Sequence, residues 1–248
     1  MKRLLDILLS SIALVILSPL LIPVVIILRC TGEGYIFYRQ ERVGKGGRTF
    51  GLYKFATMLK DSPNLPGGLF TMKNDPRIFP FGRLLRATKV NEIPQLLNVL
   101  LGEMSLIGPR PQARPHFEVF PEHAKREIIK VRPGLSGIGS LVFRNEEVIL
   151  AESGQSEEQF YTQDIAPYKG ELEIWYVQHQ SLRLDLRLMV LTVCAVVFPK
   201  GGWCDRLLSS IPRPTSATLC ECLGMSEAVE GTVPQLARRH VIVDSDAA

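Results

Sequence analysis

Cysteine pairs of the kind that hold zinc are missing from this chain of 248 residues. The chain has five cysteines, but no C-x-x-C pair is followed by a second one. This spacing argues against a structural zinc site. Cys30 and Cys194 lie in apolar surroundings, and the odd total is typical of a reducing compartment, where thiols stay free.

A strong charge of either sign is also lacking. The formal charge is +4, which is too small to indicate a nucleic-acid partner. The basic excess is uneven, however, because residues 29–110 hold 13 Lys and Arg against 6 Asp and Glu. An excess concentrated in one segment suits anionic partners such as phosphates or lipid headgroups.

Charge is completely absent from residues 7–28, a run of 22 residues. At about 1.5 Å rise per residue, a helix of this length crosses a hydrocarbon core roughly 30 Å thick. No small-x-small cleavage site precedes Arg29, which argues against a cleaved signal peptide. The run therefore predicts a membrane element.

Two features favour a helix that enters the membrane and returns. Ser18-Pro19, with Pro23 one turn later, removes backbone hydrogen bonds in the middle of the run. Basic residues, which mark the cytoplasmic side, flank both ends: Lys2 and Arg3 before, then Arg29, Arg39, Arg42, Lys45 and Arg48 after. We therefore predict a bend at Ser18-Pro19 and two cytoplasmic ends. The alternative is a single-pass anchor that carries a binding domain.

The rest of the chain predicts an α+β, mainly helical domain. Residues 34–58 read as two strands around Gly44-Lys45-Gly46-Gly47, a hairpin loop or else a phosphate cradle. Residues 168–198 read as helical, and their apolar part is too short to span, so it is either interfacial or buried. We expect a membrane helix at 1–30, a cytoplasmic catalytic domain at 31–199 and a loosely ordered tail at 200–248.

The stretch TKVNEIPQLLN, residues 88–98, predicts a helix start with a carboxylate. Asn91 is a good N-cap, and Glu92 would be the first helical residue. Pro94 is tolerated there because first-turn N–H groups have no helical partner. Anions bind at such helix ends. The alternative is that Asn91 only caps the helix and Glu92 only complements its dipole.

A second candidate is Arg110 in SLIGPRPQARP, residues 105–115. Two prolines with fixed φ flank Arg110 and hold its backbone rigid. A guanidinium on a stiff loop suits bidentate phosphate recognition. The alternative is a solvated arginine on an ordinary surface loop.

Several motifs together resemble one family. They are KRLLDILLS with the following SP, FYRQERVGKGGRTFGLYKFATM, NDPRIFPFGRLLRATKVNEIPQLLNVLLGEMSLIGPRP, RPGLSGIG and SLRLDLRLMVLTV, in order over roughly residues 2–198. They resemble the bacterial sugar transferases, monotopic phosphoglycosyl transferases that load a sugar phosphate onto polyprenyl phosphate. The resemblance implies a re-entrant N-terminal helix, Mg²⁺ and a covalent phosphosugar-enzyme intermediate.

The implied reaction moves a sugar 1-phosphate from a UDP-sugar to undecaprenyl phosphate and releases UMP. It would take place at the cytoplasmic face of the bacterial inner membrane, in contact with membrane lipid, and would initiate a surface polysaccharide or glycoconjugate. No nucleic acid is expected. Self-association and downstream glycosyltransferases stay open as protein partners. No segment reads as a pocket for one particular sugar.

One departure from the family concerns the carboxylate pair. The family's usual residues are Asp-Glu, with the Asp as nucleophile and the Glu near the metal, whereas this chain has Asn91-Glu92. An amide cannot serve as a carboxylate nucleophile. Either Glu92 takes that role, or another group supplies it, or the protein is a non-catalytic relative that binds polyprenyl phosphate or a partner enzyme.

The remaining candidates come from the matching motifs. A sugar diphosphate needs its charge shielded, and one or two carboxylates commonly hold the Mg²⁺ that does this. Glu92 is the first candidate ligand, with Asp75 or Asp185 as the second. The candidate phosphate-binding cations are Arg110, Lys54, Arg86 and Arg77.

Overall fold

A computed structural model describes residues 1–31, 33–64, 75–154, 156–198 and 211–225. Helices dominate it, and its strands form two small sheets of two strands each. The prediction of a mainly helical chain with a hairpin and one long apolar N-terminal helix is confirmed.

Helix α1, Lys2–Cys30, lies along the body of the protein and touches it near both ends. Near the start, Lys2, Arg3 and Asp6 bond to groups of the body. Near the end, Val24 and Leu28 are buried in a cluster with Phe55 and Leu85. Between these contacts α1 exposes apolar side chains, among them Leu8, Ile12, Val15, Ile16, Leu20 and Ile22. By length and composition α1 could cross a membrane.

Helix α1 is continuous at Ser18-Pro19, and the bend that we expected there stays a prediction. Helical structure continues through Pro19 and Pro23. Pro19 has no N–H to donate to the carbonyl of Val15, four residues earlier. The Ser18 hydroxyl donates to that carbonyl oxygen instead, at 2.8 Å. Serine thus supplies the bond that its neighbouring proline removes, which matters most where no water is available.

The predicted hairpin is confirmed. Strands β1, Phe37–Val43, and β2, Thr49–Phe55, pair antiparallel, with Tyr38 opposite Lys54 and Gln40 opposite Leu52. The glycine-rich loop between them contains a 3₁₀ turn at Lys45–Gly47. Because side chains alternate between faces, the even-numbered residues of both strands share one face of the hairpin.

The segment after the hairpin supplies short elements that pack under it. They are a 3₁₀ turn at Ser62–Asn64, α2 at Pro80–Ala87, a 3₁₀ turn at Val90–Glu92, α3 at Gln95–Leu101 and β3 at Ser105–Ile107. Strand β4, Gly134–Ser136, pairs parallel with β3. The backbone of Gly134 on β4 lies very close to that of Gly108, which follows β3. A Cβ on Gly134 would lie only 2.1 Å from the Gly108 nitrogen.

The remaining helices enclose the main core. They are α4 at Arg114–Glu118, α5 at Glu122–Ile128, α6 at Ile138–Val142, α7 at Glu146–Glu152, α8 at Glu157–Phe160, α9 at Ala166–His179 and α10 at Leu182–Val197. A π-helical turn, Tyr161–Ile165, joins α8 to α9. Helix α10 is buried on one side and exposed on the other: Leu188 is buried, whereas Val190 and Val193 are exposed.

Part of the expected loose tail belongs to this core. Within the described residues, 211–225 pack against it, with α11 at Ala217–Cys222. Leu219 is fully buried, and the Tyr168 hydroxyl donates to the Pro212 carbonyl at 2.8 Å. The weak sequence periodicity misled us because a six-residue helix is too short to show a period. Residues 200–210 and 226–248 lie outside the described residues.

Candidate functional site

A polar cleft lies between the hairpin face, the turn before α3 and the loop that follows β3. Its lining residues are Arg42, Leu52, Lys54, Glu92, Gln95, Arg110, Pro111, Gly134 and Leu135. Its volume is about 270 Å³, counted to the open mouth. This figure includes open solvent, so the cleft is an open recess and not an enclosed ligand pocket.

The even-numbered face of the hairpin contributes two cations to the cleft. Arg42 on β1 and Lys54 on β2 project from the same face. Gln40 lies between them, and its Oε1 accepts from Arg42 at 2.6 Å and from Lys54 at 3.5 Å. One amide oxygen therefore orients both cations.

The 3₁₀ turn at Val90–Glu92 presents the candidate carboxylate. It begins after Lys89, which has a left-handed φ of 59°. We expected Asn91 to be the N-cap of the helix. Instead, α3 begins at Gln95, directly after Pro94, and has no side-chain cap. The reason is that i→i−3 backbone hydrogen bonds, such as that from Glu92 N to Lys89 O, already satisfy the backbone N–H groups of this turn.

Asn91 instead has an unused acceptor. Its side chain is buried, and its Oδ1 accepts no hydrogen bond from any described residue. A buried carbonyl oxygen without a donor costs about 1–3 kcal/mol. This orphan oxygen is adjacent in sequence to the carboxylate of Glu92.

Glu92 is ionised in a strongly cationic setting. Burial alone would raise its pKa, but Arg110, Lys54 and Lys89 outweigh that effect and hold the pKa below its ordinary value. Gln95 adds a hydrogen bond that favours the charged form. The carboxylate is therefore available as a base, nucleophile or metal ligand near neutral pH.

Burial disfavours the charged forms of Lys54 and Arg42, the two cations of the hairpin face. Burial lowers the pKa of Lys54 to about 8, with Glu92 opposing the change and neighbouring arginines adding to it. Burial, together with the charge of Arg110, lowers the pKa of Arg42 to about 10. Cations without enough counter-charge favour the binding of an anion.

The backbone of Arg110 is hydrogen-bonded to a helix of the body. Its N–H donates to Oε1 of Glu173 on α9 at 3.3 Å, while its own side chain is exposed at the cleft. Glu173 is buried, and burial raises its pKa to about 7. Gly139 leaves room for this carboxyl, because a Cβ there would lie 2.5 Å from Glu173 Oε1.

Of the other predicted cations, Arg86 lies near this group and Arg77 does not. Arg86 is on α2, and its charge contributes to the lowered pKa of Lys54. Arg77 and Asp75 are both buried and bound to each other, with Arg77 bonds of 2.9 and 2.6 Å to the two carboxylate oxygens. Neither residue lines the cleft, so the predicted roles of Asp75 as a metal ligand and Arg77 as a phosphate ligand have no support from this geometry and stay predictions.

Asp185 is likewise bound elsewhere. Its Oδ2 lies 2.6 Å from Lys2 Nζ, and its Oδ1 accepts from the Tyr176 hydroxyl at 2.7 Å. Lys2 also donates to the Ile107 carbonyl at 3.0 Å. Asp185 thus ties α10 to the start of α1, and its expected role as a metal ligand stays a prediction that these contacts do not support.

The cleft supplies only part of the ligands that a Mg²⁺ ion needs. Among the described residues, no group of three or more His, Cys, Asp or Glu side chains could hold a metal. Mg²⁺ commonly takes one or two carboxylates and completes its shell with water and substrate phosphates. Glu92 supplies the one carboxylate of that pattern among the described residues that line the cleft, whereas the buried oxygen of Asn91 is not part of the lining.

Sequence reasoning missed Arg42, Gln40 and Gln95 as parts of the site. The signal for the first two was present in the strand alternation, since Gln40, Arg42 and Lys54 have the same parity around one hairpin. Gln95 follows Glu92 by one helical turn but carries no charge, so nothing local marked it.

Comparisons with known proteins agree on one family. The family model described as bacterial sugar transferase matches residues 1–199. The exopolysaccharide production protein ExoY of Sinorhizobium fredii is 31% identical over 216 residues, which cover 82% of this chain and 88% of that protein.

Two larger relatives are named as phosphotransferases. The UDP-N-acetylgalactosamine-undecaprenyl-phosphate N-acetylgalactosaminephosphotransferase of Aeromonas hydrophila is 33% identical over 81% of this chain and 44% of its own length. The UDP-glucose:undecaprenyl-phosphate glucose-1-phosphate transferase of Klebsiella pneumoniae is 32% identical over 77% of this chain and 39% of its own length. This chain therefore spans less than half the length of these two.

Proposed function

Because the chain belongs to the bacterial sugar transferase family, we propose that it transfers a sugar 1-phosphate from a UDP-sugar to undecaprenyl phosphate. The product would be the lipid-linked sugar that begins a surface polysaccharide or glycoconjugate. UMP is the second product. The names of the Aeromonas and Klebsiella relatives support this donor and acceptor class.

The net chemical change is a phosphoryl transfer. The bond between the β-phosphorus of the donor and the oxygen that bridges to UMP breaks. A bond from the β-phosphorus to an oxygen of undecaprenyl phosphate forms, so the diphosphate linkage moves from nucleoside to lipid. Such transfers depend mainly on positioning and on stabilising negative charge.

The observation that carries the proposal is a carboxylate in a cationic cleft. Glu92 lies within reach of the charges of Lys54 and Arg110, which keep it ionised. The cations attract the donor diphosphate, and Glu92 is the essential carboxylate of the reaction. Arg86 adds positive charge from α2.

Mg²⁺ is the cofactor that suits this donor set. Glu92 would hold it, and the unused Oδ1 of Asn91 would accept a hydrogen bond from a water of the metal. When bound, Mg²⁺ would shield the charge of the diphosphate. The protein's own part is to place Glu92 against Lys54 and Arg110.

The contacts of α1 support a membrane arrangement with both ends on the cytoplasmic side. A straight helix of 29 residues is about 43 Å long, so a simple crossing separates its ends by a bilayer. Here one body binds Lys2 near the start and Leu28 near the end. We propose that α1 enters the cytoplasmic face of the inner membrane without crossing it, and that the exposed valines of α10 contact the same lipid.

A second candidate function rests on Asn91. Because this amide cannot form a covalent intermediate in place of an aspartate, a protein that binds the lipid phosphate without turnover is the alternative. The two candidates differ in whether UMP is released.

The test is UMP release by purified protein in membranes, with a panel of UDP-sugars, undecaprenyl phosphate and Mg²⁺. Turnover by the wild type supports the transferase. Glu92→Gln should reduce it at least about 100-fold, because the charge is lost with little change in shape. Glu41→Gln, which changes an exposed carboxylate on β1, is the control. Near-normal turnover in Glu92→Gln would contradict the assigned role.

Asn91→Asp separates the remaining possibilities. An inert wild type with an active Asn91→Asp variant would establish the non-catalytic alternative for the natural protein. If both are active, a faster variant indicates that a carboxylate at this position helps, and a slower one indicates that added negative charge repels the donor.

A further inference from the structure

Arg42 belongs to the cleft, but neither the sequence motifs nor the family comparison assigned it a role. It lies near the end of β1, on the hairpin face that carries Lys54. Arg39, three residues earlier on the same strand, faces away and lies over the Tyr53 ring at 4.9 Å. One strand thus places two arginines in opposite environments.

The guanidinium of Arg42 is fixed by two contacts and keeps a third donor unused. Its two terminal nitrogens donate to Gln40 Oε1 at 2.6 Å and to the Pro111 carbonyl at 3.3 Å. Its Nε–H is buried and has no acceptor among the described residues. Leaving a buried N–H of a charged group without an acceptor costs free energy. The simplest explanation of the unused Nε–H is therefore that its acceptor belongs to a ligand.

Charge in the cleft points to an anion as that partner. Arg42, Lys54 and Arg110 face Glu92, the one carboxylate among the described residues that line the cleft, which leaves two positive charges in excess. Burial, and after it the repulsion from Arg110, lowers the pKa of Arg42. A dianionic ligand would balance the excess and relieve the repulsion.

We propose that Arg42 binds a phosphate oxygen of the donor's diphosphate through its free Nε–H, and that Gln40 orients it for this contact. The inference rests on the proposed function, since it names a further substrate-binding residue of that cleft. A guanidinium held in one orientation suits a phosphate better than a flexible lysine would.

The first test measures binding of UDP and of inorganic pyrophosphate, with Mg²⁺, to wild type and variants. Arg42→Gln should weaken both ligands about 10- to 100-fold, the usual loss for one hydrogen bond to a charged group. Arg39→Gln is the matched control: it makes the same change on the same strand and should stay within twofold of wild type. Unchanged affinity in Arg42→Gln would overturn the proposal.

A second test separates binding from support of the loop, because Arg42 also touches Pro111. If Arg42 acts only by holding that loop, its removal has no further effect once Arg110 is gone. We expect Arg42→Gln to weaken pyrophosphate binding at least fivefold in an Arg110→Gln background. No additional loss there would reduce Arg42 to a positioning role and refute direct contact.

A third measurement needs no variant and so does not depend on folding of Arg42→Gln. Wild-type protein is treated with phenylglyoxal, and peptides are read by mass spectrometry. Saturating pyrophosphate should slow modification of Arg42 severalfold but not that of Arg39. Equal rates with and without pyrophosphate would overturn the proposal. A wild type that binds UDP through Arg42 but releases no UMP would instead refute the proposed transferase alone.

Discussion

Replacing Asp185 by Asn should loosen the start of α1 from the body of the protein. The carboxylate is almost fully buried, and it pairs with Lys2 at 2.6 Å and with the Tyr176 hydroxyl at 2.7 Å. Lys2 also donates to the Ile107 carbonyl and to the Tyr176 hydroxyl, so its three N–H groups are all used. The amide of the Asp185→Asn variant would keep the shape and one acceptor but would leave the ammonium without its counter-charge.

The cost can be bounded from the exposure of the two partners. Removing one member of a fully buried ion pair costs about 3–5 kcal/mol. The side chain of Lys2 is 32% exposed, so water partly replaces the lost carboxylate. We therefore expect a loss of about 2 kcal/mol. For a chain of this size, that lowers Tm by about 4–8 °C.

Thermal unfolding of the detergent-solubilised protein, followed by tryptophan fluorescence, measures this loss. Trp175 precedes Tyr176 and so reports on the same part of α9. The control is a double-mutant cycle with Lys2→Gln: the second change should cost little after the first. An unchanged Tm, together with an altered Mg²⁺ requirement for UMP release, would show that Asp185 binds metal and that our reasoning is wrong.

Three further predictions concern other parts of the molecule. If Lys54 must be charged to bind the donor, kcat/KM should fall as the pH rises through about 8, and Lys54→Arg should move that fall to higher pH; a profile unaffected by Lys54→Arg would contradict this. Leu219→Ala should lower stability by about 3 kcal/mol, and deletion of 211–248 should lower Tm more than deletion of 226–248 does; equal Tm values for the two deletions would contradict the packing. Ser18→Ala should reduce the protein's thermal stability in membranes by about 1–3 kcal/mol because the carbonyl freed by the proline loses its donor, and Ser18→Thr should restore it; an unaffected Ser18→Ala variant would refute this role.

Part of the candidate site could be predicted from local sequence. Glu92 and Arg110 both line the cleft. Each lies in a stretch whose prolines restrict the backbone, and this restriction made both residues candidates from the sequence. The exact local geometry was not predictable. Asn91 was expected to cap α3, but backbone bonds of the preceding 3₁₀ turn took that place. Whether an amide caps a helix depends on which donors the neighbouring turn has already satisfied.

The partners of the other charged residues were decided by contacts between distant segments. Asp75 satisfies the buried Arg77, and Asp185 binds a lysine 183 residues away. No periodicity or composition reports such a partner, so a carboxylate in a motif cannot be assigned to a metal until its neighbours in space are known.

The sequence by itself determined the long apolar helix, the hairpin, the proline-flanked position of Arg110 and the family. Each of these follows from hydrophobic runs, strand alternation or fixed proline φ, which are properties of neighbouring residues. Only the tertiary structure decided that Arg42 shares the cleft with Glu92, that the body holds both ends of α1, and that 211–225 complete the core. Burial, and with it the pKa of Lys54 or the unused oxygen of Asn91, exists only once separate segments have excluded water from between them.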